Sequence, residues 1–376
     1  MKSNTLLSYA VSLILTLVFS NLLQYNFNMN FLYSIIILVV AFGLKDTLAY
    51  IFIILINLVV MKIFKTNVKR YVFIINLLLV SICGYYYKIY SEKKSQDICG
   101  PLMVLIIRLY YLSKENIINF KDAINYLFFV PVVLAGPSVP YTQFKERRNI
   151  RKEIGYIKIT NSIAFLLIHL SLQHFFKLEN TYKLSSFILS FINAFIVCFA
   201  FRCKFYFIWN FASGCCEIAG YEFNNINAIN AETSKSVKDL TSNWNIYTNI
   251  WLKESVFDEL KWTSNLVASL ATFSVSALWH GTNICYFLIF LSLSLAVLPL
   301  KNNYKMIKYY FNKNVADIVA LITVSSYVTF TMVPFIALDY KVTLKVWRNL
   351  YYYGYLYLII SYILIFFNKK EGKKKE

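Results

Sequence analysis

The chain has 376 residues, of which 58% are apolar and 15% charged, with a mean hydropathy of +0.54. That leaves too little polar surface to cover a water-soluble globule, and 10 Gly, 6 Pro and 7 Cys exclude collagen-like, disordered and disulfide-scaffold classes. A polytopic membrane protein remains; its net charge of +19 suits basic loops beside anionic lipid, and because these residues form no stripe, no nucleic-acid partner is read.

Crossing a bilayer takes about 20 apolar residues in a helix. In chain order the candidate spans are 5–23, 31–44, 47–63, 71–87, 159–176, 185–201, 264–280, 284–299, 315–338 and 345–367. Runs at 101–112, 124–135 and 204–219 are short or broken by Pro and Gly, and read as spans, re-entrant pieces or buried helices. An all-α polytopic bundle of about ten to twelve helices is expected, as one membrane domain over residues 1–376. Met1–Ser20 has signal-peptide character, but further membrane-length runs follow it, so an uncleaved first helix is the better reading. The seven cysteines form no CxxC pair and read as buried thiols, with neither structural zinc nor a disulfide framework.

Basic residues gather at Lys62–Arg70, Lys88–Lys94, Lys145–Lys158, Lys301–Lys313 and Lys369–Lys375. Nearly every loop is basic, so the asymmetry that orients membrane proteins is weak. The 145–158 cluster and the basic tail over 368–376 are the best cytosolic candidates. That tail ends Lys373-Lys374-Lys375-Glu376, which resembles a dilysine endoplasmic-reticulum signal and reads equally well as a stop-transfer tail. The expected location is therefore a multi-pass protein of the endoplasmic reticulum membrane with a cytosolic C-terminus.

Residues 221–263 break the apolar pattern. This connecting segment carries four lysines against six acids and begins with the Asn-rich patch Asn224-Asn225-Ile226-Asn227-Ala228-Ile229-Asn230. Long connections in compact proteins are usually functional. Four of the six tryptophans (Trp244, Trp251, Trp262 and Trp279) follow closely. Thr241 or Ser242 is expected to cap a helix there. At 100° per residue, Trp244, Tyr247 and Trp251 would share one face. Asn245, Thr248 and Asn249 would share another, an uncharged face suited to neutral hydrogen bonds in a cavity. On the following run, Asn265, Ser269, Thr272, Ser276 and His280 form a second stripe. Such stripes also arise from close helix packing, and that alternative stays open. An ionisable residue at membrane depth is costly, which makes His280 a functional candidate. His169 and His174 do not share a face as a metal pair would, and read as packing or interfacial residues.

Two blocks in this region resemble the membrane-bound O-acyltransferase family, and within it the lysophospholipid acyltransferases. One is Trp244-Asn245-x-x-Thr248-x-x-Trp251-Leu252-Lys253; the other is Ser276-Ala277-x-Trp279-His280-Gly281, with His280 lying 35 positions after Asn245. Gly136-Pro137 followed by Tyr141, and Trp209-x-x-Ala212-x-Gly214-x-Cys216-x-x-x-Gly220, add weaker similarity. The chain departs from the family at Phe257-Asp258-Glu259, where an Arg is usual, at Ile284-Cys285-Tyr286, where Pro-Gly often precedes the Tyr, and at Ser213-Gly214, where Glu-Gly is seen.

The resemblance implies a helical bundle enclosing an intramembrane reaction chamber, with His280 and Asn245 as catalytic residues. It also implies a substrate path lined by Trp244, Thr248, Asn249, Trp251, Lys253, Thr272, Ser276 and Trp279. The expected reaction moves a fatty acyl chain from acyl-CoA, a co-substrate rather than a cofactor, to a lysophospholipid hydroxyl. Apolar surroundings disfavour a charged imidazole, so His280 should be neutral, as a general base must be. The Asn245 amide can donate to a developing oxyanion or orient a substrate. No Cys or Ser in these blocks is placed as a nucleophile, which favours direct transfer. Other acceptors (sterol, diacylglycerol or protein) and a transporter are the competing readings, and assembly with further copies of the chain is left open.

Overall fold

The computed structural model describes residues 2–64, 66–90, 98–115, 119–146 and 151–372, and every regular element among them is helical. The Lys373–Lys375 pattern and parts of the 88–94 and 145–158 basic clusters lie outside the described residues. Among the described residues, seven helices are long and apolar enough to cross a membrane. An eighth is reached if Tyr340–Asn349 and Tyr353–Phe367, bent by 70°, form one crossing.

That figure is lower than the expected ten to twelve for local reasons. The candidate spans 31–44 and 47–63 fall on two helical arms of the stretch Asn30–Ile63, separated by a non-helical break at Gly43 (φ 82°, ψ 170°), a conformation open to glycine, and the stretch counts once among the seven. The run 204–219 is the second half of Phe187–Ile218. The run 264–280 becomes the 16-residue helix Asn265–His280. At 1.5 Å per residue that helix is about 24 Å long, short of the bilayer's apolar core. The run 124–135 becomes the short helix Phe120–Leu127 and a 3₁₀ turn at Val130–Val132.

The chain divides into two compact units. The first comprises Met1–Ala164, Phe207–Asn225 and Trp279–Thr282. Its helices are tied by polar bonds that apolar surroundings strengthen. Asn57 and Asn76 exchange amide bonds of 3.0 and 2.7 Å between Asn30–Ile63 and Val68–Tyr90. The Asn30 amide donates to the Asn125 carbonyl at 2.9 Å and accepts from the Val130 N–H at 3.0 Å. Where Lys152–Phe175 meets Phe187–Ile218, Gly155 faces Gly214; a Cβ on Gly214 would lie 2.6 Å from the Gly155 carbonyl oxygen. Only hydrogens at both positions allow that approach.

The second unit comprises Phe165–Tyr206, Ile226–Leu278 and Asn283–Glu376. Its core packs Cys198 of Phe187–Ile218 with Leu293 of Ile284–Tyr310 and with Tyr327 and Val328 of Lys313–Ala337. A second cluster centres on Trp347, which stacks on Phe330 at 4.9 Å and donates its indole N–H to the Phe330 carbonyl at 2.9 Å. In both units large apolar side chains such as Leu6 (77% exposed) and Ile322 (60%) point outward, as lipid-facing residues do.

Residues 226–260 form a run of short helices in the second unit: Ala228–Glu232, Val237–Asn243, Ile246–Leu252, a π-helical turn Lys253–Phe257, and Asp258–Leu260. Asn227 caps the first by accepting the Asn230 N–H at 3.1 Å, and Ser236 caps the second by accepting the Asp239 N–H at 3.0 Å.

Candidate active site

The Trp244–Lys253 block is built around a sharp turn. Trp244 is extended, and Asn245 adopts the left-handed conformation (φ 47°, ψ 54°) that Asn tolerates better than most residues. The Asn245 carbonyl then accepts the Asn249 N–H at 3.0 Å and opens the helix Ile246–Leu252. This corrects two expectations. Thr241 and Ser242 cap nothing here, because both sit inside Val237–Asn243, where their hydroxyls bond back to the Lys238 and Asp239 carbonyls. Trp244 precedes the helix, so it does not share a helical face with Tyr247 and Trp251.

Trp251 is 1% exposed and Thr248 is also buried, while Asn249 is half-buried. Lys253 is exposed and pairs with Asp258 at 3.0 Å, across the π-helical turn that follows Leu252. Asp258 thus answers a lysine of the same segment.

Trp244 is held from one side. Its ring meets Phe205 and Tyr206 edge-on, with centroids 5.7 and 5.6 Å apart. The Tyr206 hydroxyl donates to Glu232 at 2.5 Å, and Arg202 grips both oxygens of that carboxylate at 2.7 and 2.9 Å. Arg202 is only 4% exposed, so this bidentate pair supplies the partner a buried guanidinium requires.

The second block lies on Asn265–His280. Ser264 caps that helix by accepting the Val267 N–H at 3.2 Å. Its polar stripe divides by role. Asn265 is exposed; Ser269 bonds the Ser294 hydroxyl of the neighbouring helix at 3.0 Å; Thr272 bonds back to the Ala268 carbonyl at 2.6 Å; Ser276 is buried. Close helix packing therefore accounts for Ser269.

Trp279 and His280 belong to the first unit, whereas Asn245 and the other candidate residues belong to the second. Within the first unit the Trp279 indole N–H donates to the Met103 carbonyl at 3.1 Å, and its ring meets the half-buried His280 imidazole at 4.8 Å and 73°. Gly281 ends the helix at φ 129°, where any side chain would be strained. The imidazole is thus fixed by a pinned tryptophan before it and a glycine turn after it.

Of the remaining histidines, His169 Nδ1 lies 2.8 Å from the Ala200 carbonyl, and the exposed His174 ring meets that of its neighbour Phe175 edge-on. All seven cysteines are free thiols, five of them buried. Among the described residues no group of His, Cys, Asp and Glu side chains is placed to hold a metal ion.

Buried charges were missed by sequence reasoning. In the first unit Arg108, 1% exposed, donates to the Tyr126 carbonyl at 3.2 Å and to the Tyr50 hydroxyl at 3.3 Å, and Lys158 pairs with buried Glu217. In the second unit the Arg202–Glu232 pair is the equivalent. The only signal for Arg108 and Arg202 was the interruption of an apolar run; their partners are fixed by tertiary packing.

Comparison with known proteins places the chain in a family. The membrane-bound O-acyltransferase family profile matches residues 23–343. A lysophospholipid acyltransferase of Saccharomyces cerevisiae is 26% identical over 320 residues, covering 66% of this chain and 51% of that protein. The Schizosaccharomyces pombe protein of the same name is 22% identical over 297 residues, covering 66% and 58%. Human membrane-bound glycerophospholipid O-acyltransferase 1 is 24% identical over 410 residues, covering 89% and 81%. The chain thus spans little more than half the length of the two fungal relatives. With the match running across most of its length, this multi-pass membrane protein belongs to the membrane-bound O-acyltransferase family.

Proposed function

We propose that the protein transfers a fatty acyl chain from acyl-CoA to the free hydroxyl of a lysophospholipid. The observation that carries this reading is the family match over 23–343, which contains both blocks. Each block also holds its key residue beside a backbone conformation that few residue types accept, at Asn245 and at Gly281. The names of the fungal and human relatives support the acceptor class.

In this reading neutral His280 takes the proton from the lysolipid hydroxyl as its oxygen attacks the thioester carbonyl carbon. The new C–O bond forms and the C–S bond breaks. The departing thiolate recovers the proton from the imidazolium, so His280 ends neutral. Proton transfer of this kind contributes about 10²–10⁴-fold. The Asn245 amide donates to the carbonyl oxygen as it becomes negative, or orients the acceptor beside it. Trp244, Thr248, Asn249, Trp251, Lys253, Thr272, Ser276 and Trp279 would line the substrate path, and basic residues would meet the CoA phosphates. Residence in the endoplasmic reticulum membrane with a cytosolic C-terminus belongs to the same reading.

The test is acyl transfer by the purified chain in lipid nanodiscs, with radiolabelled acyl-CoA offered to a lysophospholipid panel, a sterol and diacylglycerol. Labelled diacyl phospholipid and stoichiometric free CoA thiol are expected. Exclusive labelling of the sterol or diacylglycerol would overturn the acceptor, and no labelled product with any acceptor would overturn the reaction.

A further inference from the structure

The geometry points to Arg202, Tyr206 and Glu232 as positioning residues that hold the Trp244–Asn245 turn in its working conformation, an inference that rests on the acyl-transfer reading above. The short helix Ala228–Glu232 is fastened at both ends. At its start the Asn227 N–H donates to the Asn243 carbonyl at 2.9 Å, two residues before Asn245. At its end Glu232 receives Arg202 at 2.7 and 2.9 Å and Tyr206 at 2.5 Å, both from the helix Phe187–Ile218. Tyr206 and its neighbour Phe205 then meet the Trp244 ring at 5.6 and 5.7 Å. Trp244 is therefore pressed on the same helix that anchors Ala228–Glu232, which serves as a strap, and the backbone reverses at the next residue.

These contacts make a closed loop of constraints around a left-handed residue. Left-handed backbone at a non-glycine position persists only when its surroundings determine it. The Asn-rich patch that opens the 221–263 segment acquires a role: Asn227 supplies both the cap of the strap helix and the bond to Asn243. None of the three side chains needs to touch substrate. They act by fixing where the Asn245 amide points, and a misplacement of about 1 Å can cost about 10²-fold in rate.

The experiment compares Tyr206→Phe, Glu232→Gln, Arg202→Lys and Arg202→Ala with wild type and Asn245→Ala, in the full-length protein in nanodiscs. Activity is taken per folded protein, on the monodisperse fraction, well below each variant's melting transition. Tyr206→Phe keeps the ring against Trp244 and removes one bond, so kcat should fall about 3–10-fold. Glu232→Gln should lower kcat by about 10–100-fold. In both, KM for acyl-CoA should stay within about 3-fold, because the acyl donor's own contacts remain. Arg202→Lys should recover part of the rate lost in Arg202→Ala. If wild type is active and Asn245→Ala is not, yet Tyr206→Phe and Glu232→Gln keep full kcat per folded protein, the strap has no positioning role. A loss that vanishes once the folded fraction is counted overturns it equally. An inactive wild type is a failure of the acyl-transfer reading instead, which the acceptor panel identifies separately.

Discussion

Asn245 combines two properties that substitution can separate. Its backbone is left-handed at φ 47°, and its side chain is an amide. Glycine accepts that backbone freely, so Asn245→Gly removes the amide and keeps the turn. Alanine removes the same amide but carries a Cβ, which in this region costs about 1–2 kcal/mol. Removing a donor that stabilises an oxyanion lowers kcat by about 10²–10³-fold, or about 2.7–4 kcal/mol of barrier. Both variants should therefore lose about 10²–10³-fold in kcat. They should differ in stability by about 1–2 kcal/mol, with Asn245→Ala the weaker. The assay is release of CoA thiol under saturating acyl-CoA and lysophospholipid, alongside thermal unfolding followed by tryptophan fluorescence. An Asn245→Gly protein with kcat within about 3-fold of wild type would refute the reasoning, because a lost oxyanion donor cannot be that cheap.

Further predictions test the elements around the site. Gly214→Ala should lower the melting temperature through about 1–3 kcal/mol of overpacking, because the new Cβ would lie 2.6 Å from the Gly155 carbonyl oxygen; unchanged melting would contradict that contact. Gly281→Ala, at φ 129°, should cost about 1–3 kcal/mol in thermal unfolding and reduce kcat by moving His280, and normal values of both would argue against the glycine turn. Lys253 is 63% exposed in its pair with Asp258, so Lys253→Gln should change stability by no more than about 1 kcal/mol. Its KM for substrate should rise if the ammonium lines the substrate path, and an unchanged KM for both acyl-CoA and lysophospholipid removes Lys253 from that path.

The sequence exposed those parts of the molecule where residue type alone restricts the chemistry. Asn245 and His280 stand out because neutral and ionisable polar groups at such positions are costly, and the blocks around them are short and contiguous. Helix geometry next to Asn245 was less legible. Ser236, not Thr241 or Ser242, starts a helix, since it accepts the Asp239 N–H at 3.0 Å. That extra helix shifts the next one to Ile246 and leaves Trp244 outside it. Hydropathy alone did not fix the number of spans: among the described residues seven helices are long and apolar enough to cross, and the stretch Asn30–Ile63, broken at Gly43, holds two of the candidate runs. The Arg202–Glu232 pair was out of reach: its members are 30 residues apart and obey no helical or strand spacing. Ser269 shows the converse case, a polar stripe residue whose partner, Ser294, belongs to packing.

The general base is the claim on which the rest depends. The most direct measurement is single-turnover acyl transfer by wild type and His280→Ala in nanodiscs of identical composition, with gel filtration and melting used to match the folded protein. Wild type should form phospholipid and release one CoA thiol per ester, while His280→Ala should be slower by about 10²–10⁴-fold with its melting temperature little changed. A His280→Ala protein that transfers the acyl chain at close to the wild-type rate would contradict the account.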